Sequence, residues 1–418
     1  MRILFTAWAW PSHVFPMVPL AWACQAAGHQ VRFASTASVT ETVAHAGLTP
    51  VEVGADADLP AMSTAGPMAA WHTQQRWPVR WSRRPDLLEP GQRAVLDALA
   101  AKEIAMAESM VDGLVGFARR WGPDLVVHDA VSYAGAVAGA VLGVPTASHM
   151  WGSVDVMRNE RTLTGEPRPG LLRIFERFGA APRIDPDLRL DPCPPRLRIP
   201  GGADRASVRY VPYNGPGTLP EWLHAPAARP RICITWGVTT GRIGGPGPGD
   251  LLPQVIEAAQ GHGAEVVLAL APGQRDRLDA LPADVRAVEG LPLHLLLPSC
   301  SAVVHQGGGG TTMTATAAGV PQLVVSPRPE QMLTGDQLAA VGAGRHLVRN
   351  ELLREPDPVP LLRKEIAALL GDPDHRAEAA ALRDEVRAMP SPAEAVGTLE
   401  RLAGSRPAGS GARAEEAK

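Results

Sequence analysis

The sequence predicts an α/β protein of two doubly wound domains, each built on a mostly parallel sheet, and three observations carry that expectation. Short apolar runs alternate with helical stretches twice over, on either side of a Pro-, Gly- and Ala-rich stretch at 214–231. Strands separated by helices in this way imply βαβ units. The length of 418 residues suits two or three domains at roughly 150 residues each. Finally, 45% apolar against 20% charged residues is enough for sizeable cores and excludes global disorder.

In the first half the strands are expected at 2–7, 31–35, 49–54, 124–129 and 146–150. A helix at 18–27 stops at Gly28, and Ser38-Val39-Thr40-Glu41 has the spacing of a capping box for a helix that stops at Gly47. An Ala- and Gly-rich helix follows 129 and ends at Gly143. Two interruptions stand out: 56–121, irregular and Trp-rich before a long helix at 93–120, and 151–206. Long insertions of this kind are commonly functional loops. After the linker, strands are expected at 231–237, 265–271, 285–291, 302–305 and 322–326, with helices at 251–260, 293–297, 311–318, 331–343, 359–370, 375–389 and 392–403. Domains of 1–215 and 216–403 follow, with a small, polar, disordered tail at 404–418.

Composition narrows the function. Forty basic against 43 acidic side chains leave a net charge of −3, which offers no electrostatic footprint for nucleic acid or an anionic membrane. Cys24, Cys193, Cys233 and Cys300 are scattered without a C-x-x-C pair, so neither a disulfide scaffold nor a structural zinc site is expected, and a reducing cytoplasm fits. The uncharged stretches 130–154 and 290–327 are broken by Pro and rich in Gly, Ser, Thr and His. They read as buried strands and loops, and not as membrane spans.

The chemistry concentrates at expected carboxyl ends of strands, where ligands of such sheets bind. In Val303-Val304-His305-Gln306-Gly307-Gly308-Gly309-Gly310-Thr311-Thr312 a strand ends, four glycines follow and a Thr-rich helix begins. Glycines let backbone N–H groups approach an anion, and a helix N-terminus adds roughly half a positive charge. No Lys follows, so this is not a P-loop; amides, hydroxyls and His305 would hold a nucleotide diphosphate without a metal. The blander reading is a flexible strand-to-helix turn. His13 lies in the loop after the first strand, and Asp129 ends the fourth on the same edge; a carboxylate that orients a neutral imidazole makes a general base near pH 7. Alone, His13 could be solvated and Asp129 a helix N-cap. Eight of the ten tryptophans precede residue 152: Trp8 and Trp10 flank His13, Trp71, Trp77 and Trp81 fill the first insertion, and Trp151 opens the second. They would either meet a flat hydrophobic acceptor or pack the insertions onto the core. Glu330-Gln331 offers acceptors and donors for sugar hydroxyls, or is a helix N-terminal pair.

These residues bring the chain into line with a known family. It resembles the family 1 glycosyltransferases of GT-B fold, in the branch that acts on bacterial natural products. The resemblance rests on Leu291-Pro292-Leu293-His294-Leu295-Leu296-Leu297-Pro298, on the glycine loop 304–311, on Ala318-Gly319-Val320-Pro321-Gln322, and on Glu330-Gln331 and Gly342-Ala343-Gly344. His13-x-x-Pro16-x-x-Pro19-Leu20-Ala21 and Ala27-Gly28-His29-Gln30-Val31 are similar to the family's acceptor-side opening. Val211-Pro212-Tyr213-Asn214-Gly215-Pro216 is similar to the linker of its macrolide and aromatic-polyketide subgroup.

The resemblance implies two Rossmann-like domains facing across a cleft. It implies an inverting, metal-independent transferase that moves a deoxysugar from a dTDP-sugar co-substrate to a hydroxyl of a polyketide-type aglycone. His13 would be the base and Asp129 its orienter. His305, Gly308, Gly309, Gly310 and Thr311 would hold diphosphate, Thr235 and Thr239 border the donor cleft, Leu291 meet the nucleobase, and Glu330 and Gln331 read the sugar. Trp8, Trp10, Trp71, Trp77, Trp81, Met150 and Trp151 would receive the aglycone. A cytochrome-P450-like helper on the Trp-rich insertion and a homodimer stay open. So do two rival readings, a nucleotide-sugar epimerase and a non-catalytic nucleotide-sugar-binding subunit.

Overall fold

The computed structural model describes residues 1–418 apart from 9, 73, 79, 153–157, 200–203, 237–250, 279 and 406–418. The first half contains β1 (Arg2–Thr6), β2 (Gln30–Ser35), β3 (Pro50–Glu52), β4 (Leu125–Asp129), β5 (Thr146–His149), β6 (Leu188–Asp191) and β7 (Ala206–Ser207). The second contains β8 (Arg231–Thr235), β9 (Glu265–Leu270), β10 (Val285–Glu289), β11 (Ala302–His305), β12 (Gln322–Ser326) and β13 (Gly344–Val348). Each half pairs its strands in one parallel sheet, in the orders β3-β2-β1-β4-β5-β6-β7 and β10-β9-β8-β11-β12-β13. The central strands read Leu-Val-Val-His-Asp and Ala-Val-Val-His and are buried along their whole length, as parallel strands covered on both faces must be.

Helices cover both faces: α1 (Pro11–Val14), α2 (Val18–Ala26), α3 (Thr40–His45), α4 (Leu59–Thr64), α5 (Pro90–Trp121), α6 (Tyr133–Leu142) and α7 (Pro169–Arg177) in the first half. The second half has α8 (Leu252–Gln260), α9 (Leu293–Leu296), α10 (Gly309–Ala318), α11 (Pro329–Ala340), α12 (Arg349–Leu352), α13 (Val359–Gly371), α14 (Pro373–Ala388) and α15 (Pro392–Gly404). The 32-residue α5 is opened by a reciprocal Glu89–Gln92 capping box behind Pro90 and closed by Gly122 in the left-handed region. Both sheets reverse their winding once, between β1 and β4 and between β8 and β11, and the crevice at such a switch point is where ligands bind. His13 lies beyond β1 and Asp129 ends β4 at the first switch; Thr235 ends β8 and the glycine loop follows β11 at the second.

Several expectations are corrected. The Ser38 capping box does not form: a 3-10 turn precedes α3, whose cap Val39 has no side-chain bond, and the Ser38 N–H goes to Asp56 Oδ1 at 3.2 Å. Within 151–206 the chain adds β6 and β7 to the sheet, and β13 extends the second. Leu-Arg-Leu-Asp does alternate apolar and polar, but four residues, the shortest run over which alternation argues a strand, give it little weight. The last helix, assigned with 216–403, crosses back: Ala395, Val396 and Leu399 of α15 lie in the same apolar cluster as Leu20, Cys24 and Val31. An amphipathic helix announces its apolar face in sequence but not the sheet that covers it. The expected tail lies outside the described residues beyond 405, as do Thr239 and the end of the strand expected at 231–237.

Candidate active site

β1 ends at Thr6, and Pro11 starts the single turn α1 that carries His13. Parallel pairing of β1 with β4 brings the end of β4 alongside, so His13 Nδ1 lies 3.0 Å from Asp129 Oδ2. A carboxylate only accepts, so Nδ1–H donates and the lone pair is left on Nε2. Asp129 is buried and further held: its Oδ1 accepts from the Val131 N–H at 3.1 Å and from the Ser132 hydroxyl at 3.5 Å, and its Oδ2 also accepts from Trp151 Nε1 at 2.8 Å. The His13 ring sits between Trp8 (4.8 Å between ring centroids) and the edge-on Trp151 (5.2 Å). The neighbouring His128 and His149 are buried, which pulls both imidazoles down to about 4.

In the second half, β11 runs into Gly307, whose φ of +88° is a left-handed conformation suited to glycine. Gly308 caps α10, and Gly309, Gly310 and Thr311 form its first turn, where N–H groups lack helical partners. The Thr312 hydroxyl at this N-terminus is buried without a partner among the described residues, as is Gln306 Oε1. Sequence reasoning passed over both, because a buried hydroxyl is visible only once its neighbours are placed.

His305 is corrected from ligand to scaffold. It is fully buried, its Nδ1 accepts from the Gly307 N–H at 3.0 Å, and its Nε2 pairs with Gln322 Oε1 at 2.9 Å. Burial holds its pKa down at about 4, so it fixes the bend of the loop as a neutral ring. Gln331 is likewise turned inward, its amide donating to the Gln306 carbonyl (3.1 Å) and accepting from Arg328 Nη2 (2.9 Å). Glu330 keeps one carboxylate oxygen without a partner among the described residues; burial pushes its pKa up, against the pull of Arg328, 3.5 Å away. Thr235 ends β8 beside His305, and Leu291 packs partly buried on a small cluster with Leu296 and Leu297.

The tryptophans divide. Trp8 and Trp151 flank the imidazole, whereas Trp10 and Met150 are buried in the core under α5 and α6. Trp71, Trp77 and Trp81, each 3–4% exposed, form a satellite core with Met68, Leu96 and Leu99, against which Leu333 of α11 packs. Among the described residues these three indoles serve packing. The insertion instead meets the second half through Gln74 N–H to the Pro327 carbonyl (3.4 Å) and Arg76 to Asp336 (3.2 Å).

Two groups went unread in the sequence. Asn214 of the linker donates to Thr314 Oγ1 on α10 (3.2 Å) and accepts from the His294 N–H (3.0 Å), and the Tyr210 hydroxyl meets Thr314 at 3.2 Å. Near Trp8, Lys102 Nζ lies 5.6 Å from the indole and 3.0 Å from Ser63 Oγ, while Tyr133 O–H donates to Glu103 at 2.7 Å. Burial pushes Glu103 up to about 8 and Lys102 down to about 8.

The halves meet at the chemistry. A β-carbon on Gly309 would fall 2.5 Å from the Trp151 carbonyl oxygen and 2.8 Å from its ring, so the tryptophan that bonds Asp129 also lies on the first residue of α10. Among the described residues no group of three or more His, Cys, Asp or Glu side chains has the arrangement of a metal site.

Family profiles match both halves: the N-terminal domain of erythromycin biosynthesis protein CIII-like proteins over residues 22–237, and their C-terminal domain over 253–402. The chain belongs to the EryCIII-like glycosyltransferases. This transferase is 36% identical to a 10-deoxymethynolide desosaminyltransferase of Streptomyces venezuelae, over 96% of its own length and 97% of that protein's. It is 37% identical to the TDP-daunosamine transferase DnrS of Streptomyces peucetius, over 99% and 100% of the two chains. The solved structure of the spinosyn rhamnosyltransferase SpnG complexed with thymidine diphosphate is 32% identical, with a TM-score of 0.78, covering 96% of this chain and all of that one. The GT-B architecture expected from the sequence is therefore present, and the epimerase and non-catalytic readings fall away.

Proposed function

We propose that this enzyme transfers a deoxysugar from a dTDP-sugar to a hydroxyl of a hydrophobic polyketide-type aglycone, with inversion, in the biosynthesis of an antibiotic-type natural product. The observation that carries the reading is the meeting of the His13–Asp129 pair with the N-terminus of α10 across Trp151. His13 Nε2 takes the acceptor proton as the oxygen bonds to the anomeric carbon. The bond from that carbon to the diphosphate oxygen breaks on the opposite face, and its electron pair leaves with the diphosphate. Amides of Gly309, Gly310 and Thr311, with the Thr312 hydroxyl, meet the departing charge; Glu330 faces the sugar. Residues 1–215 with α15 would seat the acceptor and 216–391 the donor. Cys24, Cys193, Cys233 and Cys300 form no disulfide among the described residues, which suits a reducing cytoplasm.

His13→Ala should bind dTDP as the unmodified enzyme does, by calorimetry, while transfer falls roughly 10²–10⁴-fold, since that is what a positioned base supplies. The assay is a panel of dTDP-deoxysugars against polyketide aglycones, read by mass. Near-normal turnover would remove His13 from the role.

A further inference from the structure

We propose that Trp151 is a positioning residue that divides the hold of Asp129 on the His13 imidazole and links that hold to the diphosphate end of the cleft. The inference rests on His13 acting as the base. One carboxylate oxygen, Asp129 Oδ2, is shared by two donors, His13 Nδ1 at 3.0 Å and Trp151 Nε1 at 2.8 Å. Asp129 is fully buried and its other oxygen is taken by Val131 and Ser132, so its charge is divided among fixed donors. Each donor that draws on the carboxylate leaves less of it to stabilise the imidazolium. The indole N–H therefore competes with His13 Nδ1–H for the same oxygen.

The ionisable groups around the imidazole are few. Asp129 bonds it, His128 on β4 and His149 on β5 feel the same carboxylate, and Lys102 on α5 lies 5.6 Å from the Trp8 ring. None of these three others hydrogen-bonds Asp129 Oδ2 among the described residues; Trp151 does. The same residue also rests on Gly309, where any β-carbon would collide with its carbonyl and ring. A diphosphate reaching the first-turn amides of α10 must adjust against this side chain, and the adjustment passes through one indole to Asp129.

The test compares Trp151→Phe, which keeps a ring and loses the donor, with Trp151→Gln, which loses the ring and keeps an N–H donor. In W151F the acid limb of kcat/KM moves to higher pH by roughly half to one unit, because an Asp129 relieved of the indole holds the imidazolium more tightly. In W151Q the limb stays nearer its original position, although turnover falls. Equal shifts in both variants, or a limb that does not move in W151F, would overturn the proposal. The unmodified enzyme gives an independent measurement. One indole N–H resonance, absent from both variants, should titrate with the midpoint of the acid limb and move when dTDP is added. A pH-independent set of indole resonances would refute the positioning role, and indifference to dTDP would refute the link to the donor end. Loss of the base assignment itself would appear separately, as full turnover in H13A.

Discussion

His13 and His305 both stand at the carboxyl end of a strand in a switch-point crevice, yet their surroundings give them different work. His13 offers one nitrogen to Asp129 and leaves the other as a lone pair. His305 spends both nitrogens on the protein, one on Gly307 of its own loop and one on Gln322 of β12, in a place where burial keeps it neutral. His305→Ala should therefore cost about 1–3 kcal/mol of stability through the orphaned Gly307 N–H and Gln322 amide, read as a lower urea midpoint. A weaker dTDP affinity with unchanged stability would instead restore it as a ligand.

At the level of elements, the Trp-rich insertion is the informative piece. Trp77 and Trp81 stack edge to face at 4.7 Å, and Trp77 Nε1 donates to Gln74 Oε1 at 2.7 Å, next to the Gln74 contact with Pro327. These side chains build a small core that presses the insertion onto α11. Trp77→Ala should destabilise the protein by about 3–5 kcal/mol, lowering the melting temperature, with KM for the aglycone changed far less than KM for the dTDP-sugar. A selective rise in aglycone KM at unchanged stability would return Trp77 to acceptor binding.

Across the whole molecule, burial makes folding pH-dependent. His128, His149 and His305 are held down at about 4 and His72 at about 3, each mainly by desolvation. Unfolded, the four take protons near their ordinary value of 6.5, so below it the unfolded chain binds more protons and stability falls with pH. Glu103 acts the other way: raised to about 8, it holds a proton in the folded chain that the unfolded chain releases above 4.5, so its contribution is lost as pH rises toward 8. Glu330 and Asp191, also raised by burial, act with Glu103, and His262 and His294, also lowered by burial, act with the four, so the imidazoles outnumber the carboxyls in the acid range. The urea midpoint at pH 5 should lie below that at pH 7; a higher midpoint at pH 5 would contradict the buried neutral state of these rings.

The sequence by itself determined the two-sheet layout and the glycine loop, because both are written in local terms, apolar runs and a strand-to-helix turn; it offered His13 and Asp129 as polar residues at strand ends and left their pairing across 116 positions to the fold. Alternation and turn chemistry act over a few residues, and the order of strands places their ends together. Only the tertiary structure decided that Trp151 joins Asp129 to Gly309, that His305, Gln331 and three insertion tryptophans face inward, and that α15 returns to the first sheet. Those outcomes depend on which surfaces exclude water from one another, and no local period along the chain records which surface a side chain or a helix will meet.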